Sequence, residues 1–295
     1  MMSQQRYYNR TRRSRSIPAK LLRQGRVLEI PFYYLLRLSD LAREGFDHSG
    51  SYRFADHIYR NVPSGCGWLG RRLDARLLEM PAVRSFRNRF LAACDALCEF
   101  LRTIERVHSP RLRSGQAVVR ANNGDDPIDV LTVPSGLPRE LVEGARLARE
   151  RGANLSRIRF HGLDLDGEVL AKAEEFACAG GLPNFTAHHG DALDRASYPE
   201  GADFITCTGL AEFLDETQLE KLYHIFFDVL RPGGVLVTSG MQPTRFSEYL
   251  LRLAELETHY RSAQELEAIA RRVPFAEVRT RTDDVGLQAI LTARK

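Results

Sequence analysis

The sequence has no run approaching the roughly 18 consecutive apolar residues that a membrane-spanning helix needs, so a membrane class is not expected. Ahead of Leu21 there is no apolar core of the kind a secretory leader carries, and a cytoplasmic protein is the expectation. Cysteine is scarce: Cys66, Cys94, Cys98, Cys178 and Cys207 make five, an odd number without the spacing of a disulfide framework or of paired CxxC knuckles. They read as reduced, mostly buried thiols. Cys94 and Cys98 share one helical face, where core packing outweighs metal binding, so no metal is expected. Acid is missing from Met1 to Arg26, which holds Arg6, Arg10, Arg12, Arg13, Arg15, Lys20, Arg23 and Arg26. Such an arm can attract nucleic acid, yet a solvated or helix-packing arm explains it as well, and the net charge of the chain is only +4.

What is present is ordinary for a soluble globular chain, with 43% hydrophobic and 27% charged residues in a length of 295. That length suits one substantial α/β domain and a smaller helical unit. Residues 1–120 are assigned to an N-terminal helical lid with its basic arm, and residues 121–295 to an α/β domain. From Ile17 to about Val107 apolar residues such as Leu35, Leu38 and Leu41 recur at helical spacing, and the long stretch from Leu73 to Ile104 is interrupted at Pro81. The turn-rich segments Gly45 to Ser51 and Tyr59 to Gly65 read as loops.

Beyond the polar break at Asn122 to Pro127, apolar runs alternate with helical ones. Strands are predicted at Ile128 to Val133, Arg157 to Leu163, Asn184 to His188, Ala202 to Thr206 and Gly234 to Thr238. Helices are predicted from Arg139, Gly167, Thr217 and Ser262. A hairpin of Ala276 to Thr282 and Leu287 to Ala293, turning at Asp283 to Gly286, closes the chain. The fold class expected is a doubly wound, mostly parallel, seven-stranded Rossmann-like sheet, with one antiparallel strand at its edge.

Ligands of such sheets sit beyond the carboxyl ends of the strands, so residues that follow each strand form one constellation. Ser135 and Gly136 follow the first strand and precede a helix with free N–H groups. Asp164 and Leu165 follow the second. Asp164 can accept from both hydroxyls of a ribose, while the competing reading, an acid at a helix N-terminus, is filled by Asp166. Asp191 and Ala192, after the third strand, suit an adenine amino group and ring nitrogen, or simply a turn. Thr208 and Gly209 follow the fourth strand with Glu212 close behind. Leu230-Arg231-Pro232-Gly233-Gly234 stops a helix, turns and starts a strand.

These motifs resemble the class I S-adenosylmethionine-dependent methyltransferases over about Ile128 to Lys295. The chain is similar in particular to bacterial methyltransferase-like proteins sometimes fused behind an α/β-hydrolase domain. That likeness rests on Gly45 to Ser51, Tyr59 to Gly65, Gly70-Arg71-Arg72-Leu73-Asp74, Gly190-Asp191-Ala192, Thr208 to Glu212, Gln242-Pro243 and Arg261 to Phe275. The resemblance implies S-adenosyl-L-methionine as cofactor and S-adenosyl-L-homocysteine as product. One departure stands out: the family's first loop has a strand-ending acid and several glycines, where this chain has Thr132, Pro134 and Pro138 around Gly136 and Arg139.

A sulfonium is already an activated electrophile, so such an enzyme chiefly holds a nucleophile in line and excludes water. Glu212 and Gln242, at two strand ends, are candidates to orient the nucleophile, with Glu212 a candidate base. Tyr34 is a candidate aromatic group on the helical lid, where packing competes with that role. The expected activity is methyl transfer to a small biosynthetic acceptor. Two alternatives remain. One is closure of the methionine part to azetidine-2-carboxylate with release of methylthioadenosine; the other is an RNA-binding or RNA-modifying role. A small molecule is the expected partner, nucleic acid and membrane are not, and a homodimer is compatible with the sequence.

Overall fold

The computed structural model describes residues 17–47, 52–108, 126–242 and 259–295. The basic arm ahead of Ile17, the second half of the Gly45 to Ser51 loop and Pro243 lie outside them. By contacts, described residues 17–87 form one compact unit, and residues 88–242 with 259–295 form another. The division falls inside a helix, well ahead of residue 120 where the sequence suggested it.

The first unit is helical: α1 (Ile17–Arg23), α2 (Glu29–Leu36), α3 (Asp40–Asp47), α4 (Tyr52–Arg60), α5 (Gly67–Leu78) and the start of α6 (Pro81–His108). Pro81 opens α6 at the position where a missing N–H costs nothing. Gly45 to Asp47, expected in a loop, are helical. Phe46 is buried against Tyr33, with ring centroids 5.0 Å apart, and that contact outweighs the local turn preference. Asp74 is fully buried and accepts from Ser39 Oγ, Leu41 N–H, His57 Nε2 and Ser64 N–H at 2.6 to 3.0 Å. Burial pushes its carboxyl up, but these donors prevail and hold it below the usual range.

The second unit is built on β1 (Ile128–Thr132), α7 (Arg139–Glu150), β2 (Ile158–Asp164), α8 (Gly167–Ala179), β3 (Phe185–His189), β4 (Ala202–Cys207), α9 (Glu216–Val229), β5 (Leu230–Met241), α10 (Ala263–Ala270), β6 (Glu277–Thr282) and β7 (Gln288–Arg294). Capping boxes start α9 (Asp215 with Gln218) and α10 (Ser262 with Glu265), and Asp166 caps α8. The strands order as β3-β2-β1-β4-β5-β7-β6, with β1 to β5 parallel. The antiparallel strand is not at the edge, as expected, but inside: β7 runs antiparallel between β5 and β6. The chain reaches the edge first with β6 and returns through the Asp283 turn, whose carboxylate accepts from Leu287 and Gln288 N–H.

Alternation along the strands sends residues to two cores. Val130, Phe160, Phe204 and Val237 pack on Leu97, Cys98 and Leu101 of α6 and on Leu141 and Ala145 of α7. Leu131, Leu163, Ile205 and Leu236 pack on Leu222, Phe226, Leu266 and Ile269 of α9 and α10. The later turns of α6 therefore belong to the sheet core, which is why the division precedes residue 120. Between β3 and β4 there is only a 3₁₀ turn, Arg195–Ser197, and the neighbouring sheet face is polar. There the buried Asp129 carboxylate accepts from Arg159, His161 and Arg231 at 2.5 to 2.9 Å, while His161 and His188 meet at 3.1 Å.

Candidate functional site

The carboxyl ends of β1 to β4 bring together much of what the sequence singled out. Parallel pairing puts Thr132 beside Gly162 and Thr206, and Asp164 beside His189. The loop after β1 is pinned to its neighbours: Val133 N–H donates to Thr206 O at 2.9 Å and Ser135 N–H to Leu163 O at 2.8 Å. Gly136 N–H donates to Asp164 Oδ2 at 2.8 Å. So the two residues expected to hold a ligand, Gly136 and Asp164, hold each other. Asp164 Oδ1 accepts from Asp166 N–H at 3.1 Å. Burial pushes the Asp164 carboxyl up, and the N–H groups of Gly136, Asp166 and Leu165 work against that. A carboxylate offers about four lone-pair sites, so capacity for a hydroxyl donor remains beside these N–H groups.

Leu165 is half-buried beside this carboxylate, and its carbonyl accepts from His189 Nε2 at 3.0 Å. Beyond β3, Asp191 Oδ1 accepts from Leu193 N–H, and Ser197 Oγ accepts from Asp191 N–H. The Ala192 carbonyl takes the Tyr198 hydroxyl at 2.7 Å. Asp191 thus forms the turn through one of its two oxygens. Gly162 is required by close approach: a β-carbon there would stand 2.4 Å from Ser135 Oγ and 2.6 Å from the Phe185 ring. Ser135 Oγ is buried without a hydrogen-bond partner among the described residues, and so is Thr206 Oγ1.

After β4, Thr208 and Gly209 are half-buried, and Gly209 has φ +93°, a conformation that favours glycine. A β-carbon there would meet Arg89 Nη2 at 2.8 Å. Arg89, from α6, is buried and donates to Glu212 Oε1 at 2.7 Å; Glu212 is buried as well, and its Oε2 has no partner among the described residues. The other candidate acid comes from α7. Glu140 is buried and accepts from Thr132 Oγ1 at 2.5 Å, and burial raises its pKa. The first loop departs from the family by ending β1 on Thr132, and Glu140 brings a carboxyl back to that threonine from the next helix.

Three residues escaped the sequence reading. Arg89 and Glu140 each put a charge on the buried stripe of a helix, a signal present in the spacing: Glu140 lines up with Leu141, Gly144, Ala145 and Ala148. Arg261 comes ahead of α10 and follows none of the parallel strands directly. It donates to the carbonyls of Ala211 and Leu214 at 2.7 and 2.6 Å and so clamps the loop after β4. Of the other expected residues, the Gln242 amide donates to Thr282 Oγ1 at 3.2 Å, and Tyr34 belongs to the helical unit, where it is 57% exposed.

Comparison with known proteins agrees with this architecture. Residues 144–234 match a sequence family described as methyltransferase domain. No curated protein matches the chain. Among solved structures, one named as a possible exported protein from Bordetella parapertussis shares 22% identity, with a TM-score of 0.67 over 99% of this chain and 96% of that one. The S-adenosylmethionine-dependent methyltransferase SibL in its apo form shares 15% identity, with a TM-score of 0.53 over 94% and 76%. Magnesium protoporphyrin IX methyltransferase (ChlM) from Synechocystis PCC 6803 with bound S-adenosylhomocysteine shares 11%, with a TM-score of 0.50 over 81% and 93%. The sheet unit has the strand order of a Rossmann-like, class I methyltransferase fold, and the match to the methyltransferase domain family lies within it. Among the described residues, no helix is long and apolar enough to cross a membrane.

Proposed function

We propose that this protein transfers the methyl group of S-adenosylmethionine to a small-molecule acceptor of a biosynthetic pathway. The observation that carries the reading is the gathering of Asp164, Asp191 and a buried polar layer at the carboxyl ends of four adjacent parallel strands. In this reading the Asp164 carboxylate accepts from the ribose hydroxyls, and Leu165 flanks the sugar. Asp191 and Ala192 receive the adenine edge. Thr208 and Gly209 offer a small, close surface beside the methionine part, with Ser135 and Gly136 opposite.

These residues fit the cofactor chemically. It brings hydroxyls and an amino group that donate, and the strand ends hold acceptors with spare capacity: Asp164, Asp191 and the orphan oxygen of Glu212. Bound there, S-adenosylmethionine supplies an electrophilic methyl group. The protein's own task is then orientation and exclusion of water. The Arg89 ion pair argues against Glu212 as the base for an acceptor and in favour of a fixed charge. Gln242 and Tyr34 stay candidates to orient the acceptor. The cytoplasmic setting fits the free state of the five cysteines, of which Cys94, Cys98 and Cys207 are buried.

The deciding experiment incubates the pure protein with S-adenosylmethionine, alone and with pools of small hydroxyl, carboxyl and amine compounds, followed by mass spectrometry. S-adenosylhomocysteine formed only when an acceptor pool is present supports methyl transfer. Methylthioadenosine formed without any acceptor would overturn it in favour of an intramolecular reaction on the same cofactor.

A further inference from the structure

The turn after β3 is braced on almost every side. Gly190 N–H donates to the Asp164 carbonyl at 3.0 Å, Asp191 N–H to Ser197 Oγ at 3.1 Å, and Leu193 N–H to Asp191 Oδ1 at 2.9 Å. Asp194 N–H donates to the Asp191 carbonyl, also at 2.9 Å. Ala192 N–H lies among these and has no acceptor among the described residues. A backbone donor left over in an otherwise satisfied turn is available to a ligand. The peptide planes on both sides of Ala192 are nevertheless held. Asp194 N–H grips the carbonyl ahead of it, and the Tyr198 hydroxyl donates to the Ala192 carbonyl itself at 2.7 Å. Tyr198 can do this because it is itself fixed: it is buried in the core over α9, with its ring edge-on to Phe226 and the centroids 6.1 Å apart. Burial pushes the phenol far above its ordinary pKa, so the hydroxyl stays a donor. Ser197 approaches so closely that a β-carbon on Gly190 would stand 2.3 Å from its Oγ. The short 3₁₀ segment between β3 and β4, with Tyr198 behind it, thus braces the turn.

We propose that Tyr198 is a positioning residue that makes this site selective for adenine: by holding the Ala192 carbonyl, it fixes the direction in which Ala192 N–H is presented to the base. The inference rests on the reading of Asp191 and Ala192 as partners of the adenine edge. Selectivity follows from the order of donors and acceptors. Adenine offers an amino group that donates and, next to it, a ring nitrogen that accepts, which matches the Asp191 carboxylate and the Ala192 N–H. Hypoxanthine offers the reverse, a carbonyl that accepts and a ring N–H that donates. Carboxylate would then meet carbonyl, and N–H would meet N–H. A braced N–H does not turn away from that mismatch, and polar groups left unpaired on binding are costly. Without the Tyr198 bond the peptides around Ala192 gain freedom to rotate, and the penalty for the wrong base falls.

The test is titration calorimetry of the full chain with S-adenosylhomocysteine and with its hypoxanthine counterpart, S-inosylhomocysteine. Tyr198→Phe keeps the ring and its contact with Phe226 and removes only the hydroxyl. The inference expects the wild type to prefer the adenine ligand. Tyr198→Phe should bind that ligand roughly 3- to 10-fold more weakly, the range for one neutral hydrogen bond. It should bind the hypoxanthine ligand no more weakly than the wild type does, so the ratio of the two affinities shrinks. Ser197→Ala, which removes the acceptor of Asp191 N–H, serves as a second variant and should narrow the ratio in the same sense. Equal weakening for both ligands, as a general loosening of the fold would give, would overturn the inference. Unchanged affinities in both variants would overturn it as well, and either result leaves the cofactor reading intact. A folded wild type that binds neither these ligands nor S-adenosylmethionine would overturn both.

Discussion

Replacing Arg89 by Met should be the most damaging single change at the strand ends. The guanidinium is buried and its partner Glu212 is buried too, 2.7 Å away and 123 positions along the chain. Breaking such a pair leaves one carboxylate uncompensated and costs about 3–5 kcal/mol, whereas replacing both partners by apolar groups is often close to neutral. In a unit of this size a change of 1 kcal/mol moves the melting temperature by about 2–4 °C. Arg89→Met alone should then lower it by roughly 6–20 °C. Glu212→Leu alone takes the buried carboxylate from the guanidinium and should cost a similar amount. The double variant should recover much of the loss, giving a coupling energy of about 2–3 kcal/mol in a double-mutant cycle by urea denaturation. Costs that add to within about 0.5 kcal/mol would refute this picture, because residues that do not interact behave that way.

Two further outcomes are expected. Asp129→Asn should destabilise the sheet unit, because its carboxylate serves Arg159, His161 and Arg231 together, and the penalty should depend on pH. Against the pull of burial, these partners hold the carboxyl well below its usual range. Its contribution is therefore complete above the unfolded pKa of about 3.9 and is lost as pH falls toward the folded one. Melting curves from pH 7 downward should show wild type and Asn variant converging only in strong acid. Gly162→Ala should cost about 1–3 kcal/mol by overpacking, since the new methyl would press on Ser135 Oγ. Adding Ser135→Gly should return most of that in urea denaturation, and no recovery would mean that the clash lies with Phe185 instead.

Much of the sheet was legible because its strands are short apolar runs bounded by turn formers. Ile128 to Thr132 is buried at every position, and the run read from sequence overshot by one residue. The helices expected from Thr217 and Ser262 start at Glu216 and Ala263, behind the caps Asp215 and Ser262. The place of the antiparallel strand was not legible, because a hairpin's sequence fixes its turn but not which arm meets β5. For the site, local reading found the residues at strand tips and missed their partners. Asp164 looks like a free acceptor in sequence, yet its grip on Gly136 spans 28 positions and comes from strand order alone. Arg89 is one of many arginines in the chain until α6 packs it beside the loop after β4. Glu140 follows an unremarkable Arg139, and only the register of α7 over β1 turns its carboxyl toward Thr132.

Calorimetry of the wild type against Asp164→Asn tests most directly whether the Asp164 carboxylate is a ligand for the cofactor's sugar. The Asn side chain keeps the shape and can still accept from Gly136 N–H, so the loop after β1 should stay in place. Loss of a charged hydrogen-bond acceptor is worth about 1.5–3 kcal/mol, which corresponds to S-adenosylmethionine binding weakened roughly 10- to 150-fold. Equal affinity in the two proteins, with both folded, would contradict it.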